Sequence, residues 1–369
     1  MNNLYQRSIE IILENQSPNG AYIASPNFPT YHYCWFRDGS FIAYAMDLAG
    51  QHESAQRFHQ WAADRVNERK ELVWTGIAKT RAGEMLTEAE ILHTRYHLDG
   101  TDGETDNWPN FQLDGFGTWL WALNEHRKLN PKLKIPQSIL AAAGLVEEYL
   151  SELWLLPCYD CWEEYPDHIH PYTLAAVYGG LQAHSELTGK SHRLVTENIR
   201  NQLLTSAGAF GHFVKFPEAP AVDASLLGLS IPYDVVPPDD PVMLKTVESI
   251  EATIVHDGGV HRYSRDTYYG GGAWVLLTAW LGWYYSELAV KRPDLATILQ
   301  GKIQTCQNWI EKRAENNLDL PEQVAENLNV ASQHSTWVER WGEVASPLLW
   351  SHAKYLIFKF KKAAFPIKI

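Results

Sequence analysis

The sequence of 369 residues predicts an all-α protein in which helical hairpins close into a toroid. Two observations lead to this fold class. Apolar residues recur at intervals of three and four along most of the chain, and no sustained stretch alternates between apolar and polar residues as a strand does. About a dozen helical segments alternate in pairs with polar loops about six times. The chain has no exact internal repeat, so the toroid is inferred from the number and order of elements.

The helical stripes follow one another along the chain. They are Tyr5, Ile9, Ile12 and Leu13; Phe41, Tyr44, Ala45 and Leu48; Phe116, Trp119, Leu120 and Leu123; Ile139, Ala142, Ala143, Val146, Tyr149 and Leu150; Met243, Val247 and Ile250; Trp274, Leu277, Thr278 and Leu281; Leu299, Ile303, Cys306 and Ile310; and Leu348, His352, Tyr355 and Leu356. Gly50 stands where a helix C-terminus favours glycine, and Pro347 where a first helical turn accepts proline.

Long loops separate the helices. They are rich in Gly, Pro, Asp, Trp, Tyr, Arg and carboxylates, and they cover 24–38, 99–115, 157–171, 216–240, 256–273 and 317–346. Loops of this length are usually functional, and polar and aromatic residues on loops above a packed scaffold are typical of a binding site. No change in composition marks a linker, so we expect residues 1–369 to form a single domain.

Composition excludes several function classes. The chain has 44 acidic and 31 basic residues and a net charge of −13, whereas a nucleic-acid-binding protein needs a basic surface. No apolar run approaches the roughly 20 residues of a membrane span, and the charged N-terminal segment lacks the apolar core of a signal peptide. We therefore expect a cytoplasmic protein. The 15 Trp and 18 Tyr exceed what core packing alone usually recruits.

Metal, phosphate and nucleophile motifs are absent or incomplete. Cys158 and Cys161 form a C-x-x-C pair, but no second pair of ligands stands at a zinc-site spacing. His168 and His170 lie two residues apart without a third ligand. The glycines at 270–272 lack the Lys and Ser/Thr of a phosphate-binding loop, and no G-x-S-x-G or H-E-x-x-H motif occurs. The sequence implies no metal and no cofactor.

Carboxylates beside aromatic residues are the positive signal. Glu163 and Glu164 follow Trp162 directly. A carboxyl group against an indole loses hydration, and the resulting rise in its pKa suits a general acid that works near neutral pH. Glu322 follows Pro321, a pattern that is also common at helix starts. Aromatic faces interleaved with Asp and Arg are what a sugar-binding cleft needs, because pyranose rings stack on them.

Seven segments match a known family in its own order. They are YHYCWFRDGS (31–40), NWPNFQLDGFGTWLWAL (107–123), CWEEYPDHIHPYTLAAVYGGLQA (161–183), VDASLLGLSIPYDVVPPDDP (222–241), HRYSRDTYYGGGAW (261–274), LPEQV (320–324) and SPLLWSHAKYL (346–356). Through them the chain resembles the glucoamylase-type inverting α-glucoside hydrolases, glycoside hydrolase family 15, from about residue 20 to residue 357.

The resemblance implies an (α/α)6 barrel with long active-site loops at one end. It also implies hydrolysis at the non-reducing end of α-glucosides, with inversion and release of β-D-glucose. Glu163 would be the general acid that protonates the leaving oxygen, and Glu322 the general base that activates water. Inverting enzymes hold these carboxyl groups roughly 6.5–9.5 Å apart so that a water fits between base and sugar.

The resemblance also implies a set of substrate contacts. Arg37 and Asp38 would hold the hydroxyl groups of the terminal glucose, and Tyr31 would lie beside the catalytic water. The other implied sugar-binding residues are Trp35, Trp108, Trp162, Glu164, Arg262, Asp266 and Trp350. Trp350 is equally suited to the core, and a neighbouring Arg–Asp pair is in most proteins only a surface ion pair.

The chain departs from bacterial members of that family, which usually carry a β-sandwich before the barrel. The first matching segment here begins at residue 31, so we expect the catalytic barrel without that sandwich. We expect short α-gluco-oligosaccharides of isomaltose or maltose type as substrates, with trehalose also possible, and no nucleic-acid or membrane partner. The tryptophan-bearing stretch 325–345 could reshape the cleft. The alternative is a catalytically silent carbohydrate-binding or regulatory protein. Linkage preference and oligomeric state are left open.

Overall fold

A computed structural model describes residues 3–103, 108–217 and 220–364. Within these ranges the chain forms thirteen α-helices: α1 (Asn3–Glu14), α2 (Phe36–Leu48), α3 (His52–Glu68), α4 (Lys70–Ala82), α5 (Asp114–Leu129), α6 (Gln137–Leu153), α7 (Pro171–Thr188), α8 (Arg193–Phe210), α9 (Pro241–Ile254), α10 (Val275–Lys291), α11 (Ala296–Arg313), α12 (Ala331–Trp341) and α13 (Leu349–Ala364). The predicted all-α class is confirmed. The predicted loops at 99–115 and 216–240 and the segment 107–123 each include residues outside the described ranges.

Six inner elements form a closed ring. In ring order they are α2, α5, α7, the 3-10 helix Ala224–Leu229, α10 and α13, and α13 packs back on α2. Each inner element has an outer helix against it: α3, α6, α8, α9, α11 and α1, in the same order. This double ring is an (α/α)6 barrel, as predicted. One of its inner positions is filled by only six residues of 3-10 helix.

Burial separates the two rings. Every residue of α2 from Phe36 to Asp47 is buried, because α2 packs against neighbours on all sides. The outer helix α11 instead buries one stripe, Leu299, Ile303, Cys306, Trp309 and Ile310. Inner helices α5 and α7 approach so closely that a Cβ at Gly117 would lie 2.3 Å from the carbonyl oxygen of Ala176. Any side chain at Gly117 would push these two helices apart.

Short strands hold the segments at one end of the barrel. β1 (Tyr33–Trp35) pairs with β2 (Arg95–His97), and β3 (Val255–His256), β4 (Gly259–Val260), β5 (Ala273–Trp274) and β6 (Gln323–Val324) form a second antiparallel sheet. β1 runs directly into α2, and β5 directly into α10. The sheets therefore fix the chain at the N-terminal ends of two inner helices.

Three local predictions differ from the structure. The predicted loop 24–38 overlaps α2, which begins at Phe36, because the polar residues of its first turn are buried instead of exposed. The predicted loop 317–346 contains α12, which buries none of its residues and so has no apolar core stripe. Pro347 lies before the last helix, which begins at Leu349, and not in its first turn. No described helix is long and apolar enough to cross a membrane.

Candidate active site

A cavity of about 300 Å³ opens at the end of the barrel where the inner helices begin. Its wall is mostly aromatic, with a few charged groups, which is the usual make-up of a small-molecule site. The aromatic residues are Phe28, Tyr31, Trp35, Trp108, Trp162, Tyr268, Trp274, Trp337, Trp341 and Trp350, and the charged ones are Arg37, Asp38, Glu163, Arg262 and Glu322. The two predicted catalytic glutamates therefore face one cavity, although they are far apart in sequence.

Glu163 lies in the loop before α7 and has a left-handed backbone, with φ of 67°. Its Oε1 accepts hydrogen bonds from Trp35 Nε1 at 2.8 Å and Gln112 Nε2 at 3.2 Å. Arg37 lies 4.0 Å from the same oxygen. Both hydrogen bonds that the described residues donate reach Oε1, so Oε2 is the oxygen that can protonate a leaving group. The indole N–H that donates to Glu163 is thus that of Trp35, whereas the indole N–H of Trp162 donates to Asp223.

A buried cluster of charged residues holds the loop that carries Glu163. Lys215 Nζ donates to Asp160 at 2.9 Å and to Asp223 at 2.7 Å. Asp160 accepts from the backbone N–H groups of Trp162 and Glu164, each at 2.9 Å, and Asp223 accepts from the Trp162 indole N–H. The ammonium group beside Asp223 keeps the pKa of that carboxyl below its usual value despite burial. The cluster fixes the backbone on both sides of Glu163.

Glu322 stands immediately before β6 and also lines the cavity. Tyr31 OH donates to its Oε1 at 2.9 Å, and Tyr31 OH and Tyr268 OH are 2.7 Å apart. Oε2 is buried and accepts no hydrogen bond from the described residues, so it can accept one from a water. Burial raises the pKa of Glu322 to about 8, while Tyr31 and Arg262 act in the opposite direction.

Arg37 and Asp38 lie in the first turn of α2, at the floor of the cavity. Arg37 donates to Gln112 at 2.8 Å and to Asp114 at 3.2 Å, and its Nε makes no hydrogen bond to the described residues. Asp38 Oδ2 is likewise buried without a hydrogen bond, and it lies 3.6 Å from Arg37 Nε in a buried ion pair. Burial raises the pKa of Asp38 to about 7, although Arg37 acts to lower it. This ion pair is too long for a hydrogen bond, so its donor and its acceptor can both bind the hydroxyl groups of a sugar.

Arg262 is held by carboxylates from behind. Asp266, which is fully buried, accepts two hydrogen bonds from its guanidinium group, at 2.8 and 2.5 Å, and Glu164 accepts one at 3.2 Å. Tyr263 OH also donates to Glu164, at 2.6 Å. Burial raises the pKa of Glu164, and Arg262 lowers it. Arg262 lines the cavity whereas Asp266 and Glu164 do not, so these two carboxylates orient the arginine in this structure.

The structure brings the remaining predicted residues to the cavity wall. Trp162 packs on Trp274 and Trp350, with ring centroids 5.6 and 6.5 Å apart, and Trp108 lies over Arg95 at 3.5 Å. Sequence reasoning did not single out Gln112, Asp114, Asp160, Lys215, Asp223 or Tyr268. All but Asp160 and Lys215 stand inside the segments that carry the family resemblance, so those segments were the signal for them. Nothing in the sequence around Lys215 indicates its partners.

Two other clusters of the described residues could supply metal ligands. Their ligating atoms lie within 4.8 Å of one another, and they are Asp47, His59 and His126, and Glu147, His184 and His192. Neither cluster lines the cavity. All four cysteines are buried and free, including both residues of the C-x-x-C pair. The cavity therefore offers carboxyl, guanidinium, phenol and indole groups and the Cys161 thiol.

Known proteins resemble this chain over nearly its whole length. A model of the glycosyl hydrolases family 15 matches residues 1–358. Isomaltose glucohydrolase from Kribbella flavida is 38% identical over 365 residues, which cover 97% of this chain and 92% of that protein. A glycosidase variant solved in complex with glucose superimposes with a TM-score of 0.90 at 36% identity, and the match covers 98% of this chain and 97% of the other.

A bacterial glucoamylase complexed with acarbose also shares the fold. The TM-score is 0.72 at 20% identity, and the match covers 99% of this chain and 56% of the glucoamylase. At this identity the likeness concerns the arrangement of the helices. It agrees with the double ring described above.

Proposed function

The chain belongs to glycosyl hydrolases family 15, and we propose that it hydrolyses short α-gluco-oligosaccharides of the isomaltose type by inversion. It is an exo-acting glycoside hydrolase that releases glucose. The observation that supports the inverting mechanism is that two glutamates with different hydrogen-bond partners line one cavity. Inversion needs one carboxyl group to give a proton and the other to take one.

Glu163 acts as the general acid. Its Oε1 is held by Trp35 and Gln112, which fixes the orientation of the group and leaves Oε2 to protonate the glycosidic oxygen. The left-handed backbone presents the side chain to the cavity, and Asp160 holds that backbone, since Glu163 N donates to the Asp160 carbonyl at 2.9 Å. A fixed proton donor lowers the barrier by avoiding reorganisation during bond cleavage.

Glu322 acts as the general base. Tyr31 occupies one carboxyl oxygen, and the second, Oε2, accepts the proton of the attacking water. A raised pKa strengthens the group as a base once it is ionised. Arg37 and Asp38 bind the hydroxyl groups of the terminal glucose, and Arg262 lies where it can contact the sugars at the scissile bond.

Isomaltose is favoured as the substrate because the isomaltose glucohydrolase from Kribbella flavida matches this chain over nearly its full length. We also place the enzyme in the cytoplasm and treat residues 1–369 as one catalytic domain. Four free cysteines suit a reducing compartment, and one apolar core extends from Leu4 to Phe358. No added metal or cofactor is part of the mechanism.

The test is a comparison of initial rates on isomaltose, maltose, nigerose, kojibiose and trehalose at equal concentration. Isomaltose should give the highest kcat/KM. A higher value on another disaccharide would reject the linkage assignment and leave the glucosidase intact. Binding of these sugars without any hydrolysis would reject the assignment as an enzyme and favour a carbohydrate-binding protein.

A further inference from the structure

Helix α12 is built differently from the other helices around the cavity. None of its residues is buried. Most of its contacts are with the 3-10 turn Tyr268–Gly270. Trp337 packs, partly buried, against the hydrophobic core, and both Trp337 and Trp341 line the cavity.

The attachment of α12 is specific. Trp337 lies edge-on against Tyr268 with ring centroids 4.4 Å apart, and His334 lies in the same way against Tyr269 at 4.4 Å. The backbone N–H of Val330, just before the helix, donates to the carbonyl of Gly270 at 3.0 Å. A Cβ at Gly270 would come within 2.9 Å of His334, so the close approach requires glycine. The turn that carries Tyr268 thus also fixes α12.

Two indoles of α12 extend the cavity wall outward. Trp337 and Trp341 both line the cavity, and their ring centroids are 6.3 Å apart. Trp341 is 50% exposed, and the guanidinium group of Arg340 lies 4.7 Å from its ring. A half-exposed tryptophan is a binding surface for a pyranose ring when it borders a sugar cavity. Trp74 on the outer helix α4 is 45% exposed but does not border the cavity.

We propose that Trp337 and Trp341 of α12 form the binding site for the sugar that leaves, the one on the reducing side of the cleaved bond. This inference rests on the proposed function and identifies residues that the reaction itself does not require. Arg37 and Asp38 lie at the floor and hold the terminal glucose, so a second sugar extends outward toward the rim. The two indoles are the aromatic surface that α12 adds there.

Two substrates separate this role from catalysis. Isomaltose has a sugar as its leaving group, whereas α-glucosyl fluoride has only fluoride and makes no contact at such a site. Trp341→Ala should lower kcat/KM on isomaltose by about fivefold more than on α-glucosyl fluoride, which is the loss of about 1 kcal/mol expected for one aromatic contact. Trp341→Phe should lie between Trp341→Ala and the parent, because a smaller aromatic face remains. Trp337→Ala should show the same discrimination between substrates.

Trp74→Ala is the matched control, since it removes an equally exposed indole away from the cavity, and it should not change the ratio of the two activities. Equal losses on both substrates in Trp341→Ala, or no loss on isomaltose, would overturn the assignment of α12. Failure of the proposed function is distinguishable, because the parent enzyme itself would then fail to hydrolyse isomaltose. Circular dichroism of each variant checks the fold, which the loss of the exposed side chains of Trp341 and Trp74 should not disturb.

Discussion

Removing the charge of Glu322 should stabilise the protein, and the gain should grow with pH. A solvent-exposed glutamate has a pKa of 4.5, and burial raises the pKa of Glu322 to about 8. The group's folded-state pKa is therefore higher than its unfolded-state value. Its contribution to stability is fully present below about pH 4.5 and is lost as the pH rises through about 8. At about 1.4 kcal/mol per pH unit, the full loss is on the order of 4–5 kcal/mol.

The variant Glu322→Gln keeps the shape of the side chain and cannot ionise. It should exceed the parent in free energy of unfolding by about 1 kcal/mol at pH 5 and by about 4–5 kcal/mol at pH 9. For 369 residues the latter corresponds to a rise in Tm of about 5 °C. Thermal and guanidinium unfolding at several pH values would measure it. Glu248→Gln, at an exposed position on α9, is the control without such a gain. A difference that stays constant between pH 5 and pH 9 would refute the reasoning.

Three further predictions concern catalysis and its support. Glu163→Gln should lower kcat on isomaltose by about 10²–10⁴-fold. On an aryl glucoside with a good leaving group, which needs less protonation, kcat should fall much less. Equal losses of kcat on both substrates would contradict the role of Glu163 as a general acid. Tyr31→Phe removes a hydrogen bond that lowers the pKa of Glu322, so the acidic limb of the pH profile of kcat/KM, expected above 4.5, should move to higher pH. The control variant Tyr33→Phe should leave the acidic limb of this pH profile unchanged. Lys215→Met leaves the carboxylates of Asp160 and Asp223 buried without a cation. The free energy of unfolding, measured in guanidinium, should fall by about 3–5 kcal/mol, and kcat should fall as well. A loss of less than about 1 kcal/mol would show that the cluster is dispensable.

Outer helices α1, α6, α9 and α11 could be predicted from sequence because each buries an apolar stripe, whereas no stripe was named for α3 or α8. Leu299, Ile303 and Ile310 of α11 show the spacing of three and four residues that an amphipathic helix requires. Stripes were also named on the inner helices α2, α5, α10 and α13, but two inner features were not predicted. The first turn of α2 contains buried Arg37 and Asp38, which look like loop residues, and the inner 3-10 helix has only six residues.

The active site was predictable to the extent that it lies in segments shared with a family. Glu163 and Glu322 could be assigned roles in this way, and the structure places both on one cavity. The support around them could not be found from sequence. Lys215 acts through Asp160, 55 residues away along the chain, so no local pattern marks it. Helix α12 was missed because most of its residues are polar and none is buried.

The inverting mechanism is the central claim, and the configuration of the first product tests it most directly. Proton NMR of a fresh reaction with isomaltose distinguishes the anomeric protons of α- and β-glucose before they interconvert. With Glu163 as the acid and Glu322 as the base for a water, β-glucose should appear first and α-glucose only later by mutarotation. Initial release of α-glucose would contradict this account, since retention requires one carboxylate to bond to the sugar.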